Sequence, residues 1–344
     1  MTHRAERGRR GRAARRRPRP GLRSSAVAAL VVVALAPDAA HAQETRPDER
    51  AAPRALDAFG GLVSRTASVA RYVPARPRLG DLLVVYVREP RAHVVRAGLR
   101  VFDRTVEAFR VSDAELRAVV AVPIDAMPGL HTLELELPGE RRALELAVDD
   151  RAFETDRLTV DKRFTRRPDR ALARRLEAEE RAWRALFEAP PTEPIHVGRF
   201  VRPVPGRETA PYGVRRTFNG KTRSRHYGLD LDGATGDPVL AIGDGRVVMS
   251  AMRWASGGTV VVDHGGGLFT AYFHLSAREV RPGQRVVRGQ RVGAVGATGR
   301  VTGPHLHLSV LARMAGPLRV DGWFVDPAPV LGRALDGDRA FTTR

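Results

Sequence analysis

Thr259-Val260-Val261-Val262-Asp263-His264-Gly265-Gly266-Gly267-Leu268-Phe269-Thr270-Ala271-Tyr272-Phe273-His274 sets two apolar runs, rich in β-branched and aromatic residues, on either side of three consecutive glycines. Each run has the length of a strand rather than a helix, and the glycines between them form a turn, so the stretch reads as a hairpin. His264, just beyond the first run and beside the glycines, is read as a structural part of that hairpin. Working outward, Val239 to Met249, Val286 to Val295 and Leu306 to Leu311 repeat the same character, again separated by glycine turns and with little helical periodicity. Residues 200–332 are therefore expected to form an all-β domain, followed by a C-terminal tail over 333–344.

Further upstream, Leu82 to Val87 is a nearly continuous apolar run suited to a buried strand. Leu133, Leu135 and Leu137 alternate with Glu134 and Glu136 at the strand period of two. Pro138-Gly139-Glu140 is a turn signal, after which Leu144, Leu146 and Val148 resume the alternation and complete a hairpin. Together with the Pro128-Gly129 turn these strands predict a small β-sandwich over 73–160. Its histidines, His93 and His131, stand alone and are read as structural. After Pro168, Leu172, Leu176, Trp183 and Phe187 mark one face of an amphipathic helix, and mixed arginine and glutamate fill the other. Such a helix suits packing between two domains, within a linker over 161–199 that Pro190, Pro191 and Pro194 close. The expected fold class is mainly β: an N-terminal small β-sandwich, a linking amphipathic helix and a C-terminal all-β domain. No repeat with a period of twenty to fifty residues is visible, which argues against a solenoid or propeller.

Residues 1–42 carry ten arginines against Glu6 and Asp38, then an apolar run from Ala26 to Ala36, Pro37, and the small-residue site Ala40-His41-Ala42. This is the three-part plan of a secretory signal peptide, with cleavage expected before Gln43. The apolar run is eleven residues, whereas a membrane-spanning helix needs about twenty. The reading is a signal peptide over 1–42 and a flexible leader over 43–72. It implies periplasmic or extracellular work with no stable membrane insertion after cleavage.

The chain has 344 residues and 43% apolar content, enough for two domains with buried cores. Its formal net charge is +19; the signal segment supplies +8 of this, leaving +11 downstream. A basic surface attracts polyanions, among them acidic envelope polymers. The arginines are scattered among acidic residues rather than clustered with aromatics, and Lys162 and Lys221 are the only lysines; nucleic acid is not assigned as a partner. Cysteine is absent, which removes disulfides, thiolate zinc sites and cysteine nucleophiles together. No G-x-S-x-G elbow occurs, which disfavours serine hydrolase chemistry.

Five of the ten histidines lie between His226 and His307. His305 and His307 are two apart in a β-like run, so both imidazoles point to one face. His226 and Asp230 form His-x-x-x-Asp in what reads as an extended segment entering a turn at Gly228, where positions four apart share a face. Two histidines and a carboxylate with one position left open are what a catalytic zinc site requires. Soft ligands are missing, which disfavours copper(I) and iron–sulfur chemistry.

The order His226-x-x-x-Asp230, then Tyr272-Phe273-His274-Leu275, then His305-Leu306-His307 resembles the LytM/lysostaphin-type peptidoglycan endopeptidases, a zinc metallopeptidase family with the duplicated-hybrid-motif fold. Gly236-Asp237-Pro238-Val239, Asp244-Gly245-Arg246-Val247, Asp263-His264-Gly265, Thr298-Gly299 and Thr302-Gly303-Pro304 add to the likeness, which spans about Phe200 to Leu331. The resemblance implies Zn2+ held by His226, Asp230 and His307, with His305 and His274 as the catalytic histidines. It further implies cleavage of peptide cross-links in bacterial peptidoglycan through a zinc-activated water, with the peptide stems as partner; no adaptor protein is assigned. Two departures stand out. Leu308-Ser309 follow His307 where many relatives have an aromatic and an acidic residue, and Phe218-Asn219-Gly220-Lys221 occupy a stretch where some relatives use a tyrosine.

A rival within the same fold is a catalytically inactive LytM-type activator or binding module for another wall hydrolase. Such a module should lack one or more ligands, and all five positions are filled here. Val280 to Gly296 resembles the half-barrel of biotinyl and lipoyl carrier domains, but no lysine for attachment occurs after Lys221.

Overall fold

The computed structural model describes residues 69–158, 168–316 and 323–335, apart from 197, 219, 221 and 334. The expected signal peptide, the leader up to residue 68 and the tail beyond 335 lie outside the described residues. What is described is built of strands, with one helix.

The N-terminal strands are β1 (Val69–Val73), β2 (Leu82–Arg88), β3 (Arg96–Val101), β4 (Arg104–Ser112), β5 (Glu115–Ala121), β6 (Gly129–Leu137) and β7 (Glu140–Val148). They form an antiparallel sheet in the order β1-β2-β5-β4-β3-β6-β7. In β6, Leu133, Leu135 and Leu137 point inward while Glu134 and Glu136 face solvent, as the alternation predicts. The ends of the order come together: Tyr72 Oη in β1 donates to Glu145 O in β7 at 2.9 Å. The sheet is thus folded over on itself around one core, which realises the expected sandwich.

Two boundaries differ from the sequence reading. The sheet begins at Val69, inside the expected leader, because β1 pairs with β2 along its whole length. Arg71 interrupts the apolar pattern there, yet it is buried and ion-paired with Glu115 at 3.9 Å. At the other end, β8 (Thr155–Leu158) leaves the sandwich and pairs in parallel with a strand of the C-terminal half.

Helix α1 (Arg170–Ala185) is capped by Asp169, whose side chain accepts from Leu172 N at 2.8 Å. Its anchor is Trp183, buried against Phe273 with ring centroids 6.1 Å apart. Phe187, just beyond the helix, packs on Phe269 and Trp323. Leu172 and Leu176 are only half-buried. The contacts of this helix run to the C-terminal sheet, and not between two domains as its amphipathic pattern suggests.

The C-terminal strands are β9 (Glu208–Ala210), β10 (Arg215–Phe218), β11 (Thr222–Arg225), β12 (Leu229–Asp232), β13 (Pro238–Leu240), β14 (Gly245–Arg253), β15 (Gly257–Asp263), β16 (Leu268–Leu275), β17 (Ala277–Arg278), β18 (Arg285–Val286), β19 (Arg291–Ala294), β20 (His305–Ala312) and β21 (Phe324–Val325). The main sheet runs β18-β14-β15-β16-β20-β12-β9, with β21 also on β20; β13-β19-β17 and β11-β10-β8 form two smaller sheets. The hairpin read across the three glycines is β15–β16. The run Val239 to Met249 divides into the short β13 and the start of the longer β14, and Val286 to Val295 divides into the short β18 and β19. Strands β16 and β20 are buried at every position, so both faces of the sheet centre are covered.

Arginines join the two halves. Arg117 in β5 donates to Leu335 O at 2.6 Å and His196 O at 3.0 Å, and Arg333 donates to Val73 O at 2.7 Å and Leu82 O at 3.1 Å. Arg333 and Leu335, expected to begin a tail, are therefore tied into this joint.

His264 lies in the core beside the joint. Its Nδ1–H donates to Asp244 O at 2.6 Å, and Nε2 is 2.8 Å from Thr270 Oγ1, so the neutral ring is satisfied on both sides. Burial pushes its pKa from an ordinary 6.5 down to about 4. The unfolded chain therefore takes up the proton first, and the stabilisation is complete above about 6.5 and is lost as pH falls toward about 4. Chemical denaturation at a series of pH values is expected to show this loss, worth at most roughly 3 kcal/mol from this residue. His264→Gln should flatten that part of the profile.

Candidate metal centre

Asp230 and His307 are set opposite each other by strand pairing. In the antiparallel β12–β20 ladder Asp230 faces His307 and Asp232 faces His305. The two-residue period puts His305 and His307 on one face, as read from the sequence. His226 arrives differently. It follows β11, with its N–H bonded to Val214 O at 2.9 Å and its carbonyl accepting from Gly213 N at 2.7 Å. The chain then turns through Tyr227 and Gly228 before entering β12. His226 and Asp230 thus meet around a turn and not along one extended face. Gly228 permits the approach: a Cβ there would come within 2.4 Å of His307 Nε2 and 2.5 Å of Leu308 O.

Three ligand-type atoms converge. His226 Nε2 is 3.0 Å from Asp230 Oδ1 and 3.0 Å from His307 Nδ1, and His307 Nδ1 is 2.7 Å from Asp230 Oδ1. All three side chains are buried. Their tautomers are fixed from behind. His226 Nδ1 lies 2.6 Å from Pro211 O, and a carbonyl only accepts, so the proton sits on Nδ1. His307 Nε2 lies 3.0 Å from Ser309 Oγ, whose own proton goes to Tyr227 O at 2.7 Å, so here the proton sits on Nε2. Two nitrogen lone pairs and a carboxylate oxygen therefore face one another with no proton among them, an arrangement that calls for a cation. Donors bound at 2.0–2.1 Å to a tetrahedral zinc stand roughly 3.3 Å apart, close to the spacing seen. The residues fit that metal in type, number and direction.

His305 and His274 flank the set. His305 Nδ1 is 3.0 Å from Gly303 O and His274 Nδ1 is 2.8 Å from Thr298 O, so each ring carries its proton away from the centre. Both Nε2 atoms are buried without a hydrogen-bond partner. His305 Nε2 lies 3.8 Å from Asp230 Oδ1, and the two rings are 5.0 Å apart. His274 reaches this position with φ at +63°, in the left-handed region that residues other than glycine rarely adopt. Its N–H bonds Ser256 O at 2.9 Å where the β15–β16 register slips, so a bulge re-aims the side chain.

Burial pushes His274 down to about 3, with the neighbouring His307 and His305 adding to the effect, and pushes His307 down to about 4. For Asp230 burial acts upward, while positive charge or a donated proton at His226 and His307 acts downward and holds the carboxyl well below its usual range; a cation among the three side chains would act in the same direction. Near neutral pH the centre therefore offers neutral imidazole at His274 and His307 and an ionised carboxylate.

Ser309, one of the two departures from the family pattern, is the acceptor that orients His307. Of the other departure, Asn219 and Lys221 lie outside the described residues. His131 meets Met127 O and the Phe102 ring, and belongs to no such cluster.

Residues 224–327 match the family model of Peptidase family M23. Over 88 residues the chain is 49% identical to the peptidoglycan DD-endopeptidase ShyA of Vibrio cholerae, a match covering 26% of this chain and 20% of that protein. It is 36% identical over 124 residues to the DD-carboxypeptidase/endopeptidase Mpg of Neisseria meningitidis, covering 36% of this chain and 27% of that one. The chain thus spans about a fifth to a quarter of the length of these curated relatives. The crystal structure of a candidate peptidase M23 from Pseudomonas aeruginosa is similar with a TM-score of 0.54 at 27% identity, covering 74% of this chain and 95% of that chain. That coverage is more than residues 200–332 alone could supply, so the likeness in fold extends upstream of the centre.

Because the turn at Gly228 leaves no room for a side chain, Gly228→Ala is expected to destabilise the chelator-treated protein by about 1–3 kcal/mol. Thermal unfolding without metal reads this directly, since packing alone is then at stake.

Proposed function

We propose that this chain, whose residues 224–327 form a domain of Peptidase family M23, is an exported zinc endopeptidase that hydrolyses peptide cross-links of bacterial peptidoglycan. The observation that carries the reading is the convergence of His226 Nε2, His307 Nδ1 and Asp230 Oδ1 with both imidazole protons held on the far sides. The relatives named for peptidoglycan DD-endopeptidase and DD-carboxypeptidase/endopeptidase activity support the substrate class. The signal-like residues 1–42 support export.

In this reading His226, Asp230 and His307 hold the zinc. When bound, zinc would supply Lewis acidity, polarising a carbonyl and lowering the pKa of water toward neutrality. His305 acts as general base: its Nδ1 is anchored on Gly303 O, and its bare Nε2 faces the side where the metal-ligand carboxylate lies. His274 presents its own bare Nε2 beside it, able to accept a proton and, once charged, to donate to the oxyanion or the leaving nitrogen. Amide cleavage requires that nitrogen to be protonated, so at least one of the two rings cycles its proton and the pH profile is a bell. The filled set of five residues supports an enzyme over an inactive activator.

Metal analysis of protein purified without chelator is expected to give one zinc per chain, and digestion of purified wall should yield peptide fragments identifiable by mass spectrometry. His307→Ala should lose both metal and activity. His305→Ala should keep the metal and lose at least about a hundredfold in rate. Equal zinc retention by the two variants would remove the ligand assignment.

A further inference from the structure

The small sheet β11-β10-β8 carries a polar row that the reaction just described leaves unused. Arg216 of β10 is aligned with Ser224 of β11 on one side and with Asp156 of β8 on the other. Beyond the β10–β11 ladder His226 N still donates to Val214 O, while the His226 carbonyl accepts from Gly213 N, so His226 stays beside β10 two residues on from Ser224. Aligned residues on neighbouring strands share a face, and so do residues two apart on one strand. Asp156, Arg216 and Ser224 therefore project from the same face as the ligand His226.

Arg216 is only 2% exposed, and its Nε and Nη1 are buried without a hydrogen-bond partner. Its ion pair is to Asp156, Nε to Oδ2 at 3.6 Å. Burial depresses the guanidinium's pKa, while the carboxylates of Asp230 and Asp156 act in the opposite direction, so Arg216 feels the metal-ligand carboxylate as well as its own partner. Left alone, a buried guanidinium on this face opposes any cation held by His226, Asp230 and His307, because little solvent screens the repulsion. A carboxylate paired with it removes most of that opposition.

We infer that Asp156 is a positioning residue of the metal centre, which by neutralising Arg216 keeps a buried positive charge from weakening cation binding at His226, Asp230 and His307. The inference rests on the proposed metal reading of those three residues. The centre is then completed electrostatically by a strand that precedes helix α1 and lies outside the family match over 224–327. A fragment beginning after α1 would carry Arg216 without its counter-charge.

The test is zinc affinity, measured by chelator competition at one pH on the full chain and on D156N, D156E, R216Q and R216Q/D156N. D156N is expected to bind zinc at least about tenfold more weakly. D156E should recover most of the affinity, and the double variant should return to within about threefold of wild type because no charge is left to balance. Wild-type affinity in D156N would overturn the inference. So would a double variant as weak as D156N, since that pattern belongs to packing and not to charge. If D156N does not fold, R216Q/D156N is compared with the wild-type chain: affinity within about threefold supports charge balance, and a markedly weaker double overturns it. A wild-type chain that takes up no zinc overturns instead the metal reading on which the inference stands.

Discussion

Two imidazole lone pairs and a carboxylate oxygen held about 3 Å apart repel one another unless a positive charge stands among them, and much of the C-terminal half serves to hold them there. The β12–β20 ladder fixes Asp230 against His307. The turn at Gly228 swings His226 onto the same point. Pro211 O and the Ser309–Tyr227 relay take the protons on the outer sides, so that neither ring can relieve the crowding by changing tautomer. The arrangement is costly without a cation and well matched to one.

The same sheet supplies a second pair of imidazoles by a different device. His305 needs only the strand period to stand beside His307, whereas His274 needs a bulge and a left-handed backbone conformation. Strain of that kind persists only where the surroundings over-determine it. Here the surroundings include the helix: Trp183 packs on Phe273, and Phe273 packs on the His307 ring at 5.4 Å. Arg253 lies over the Trp183 ring at 4.9 Å, and Glu179 accepts from Trp254 N at 3.0 Å. Helix α1 thus buttresses the strands that carry His274 and His307.

Arginine does more here than charge the surface. Arg110 donates to Arg91 O and Asp113 O at 2.8 Å each, Arg313 to Phe187 O at 2.7 Å, and Arg117 and Arg333 close the joint between the two halves through backbone carbonyls. A guanidinium offers five donors in a rigid fork and can satisfy several carbonyls that no strand reaches. Part of the positive charge that composition alone suggests for polyanions is therefore spent inside the fold.

What the sequence by itself determined follows from local periodicity. The hairpin across Gly265 to Gly267, the β6–β7 alternation and the shared face of His305 and His307 all depend on neighbours along one strand, where a period of two is enough. Residue types and their order likewise carried the likeness to a zinc peptidase family. Only the tertiary structure decided what depends on contacts between distant segments. Strand β1 was hidden because Arg71 finds its partner Glu115 across the sheet, and β8 was misassigned because its pairing strand lies some sixty residues further on. The role of Ser309, the close approach of Gly228 to His307 that brings His226 to Asp230, and the place of Arg216 beside Asp156 were equally out of reach. Each is set by which side chains from remote strands come to share one buried face, and the energies of burial and pairing that select such neighbours are not written in any local pattern.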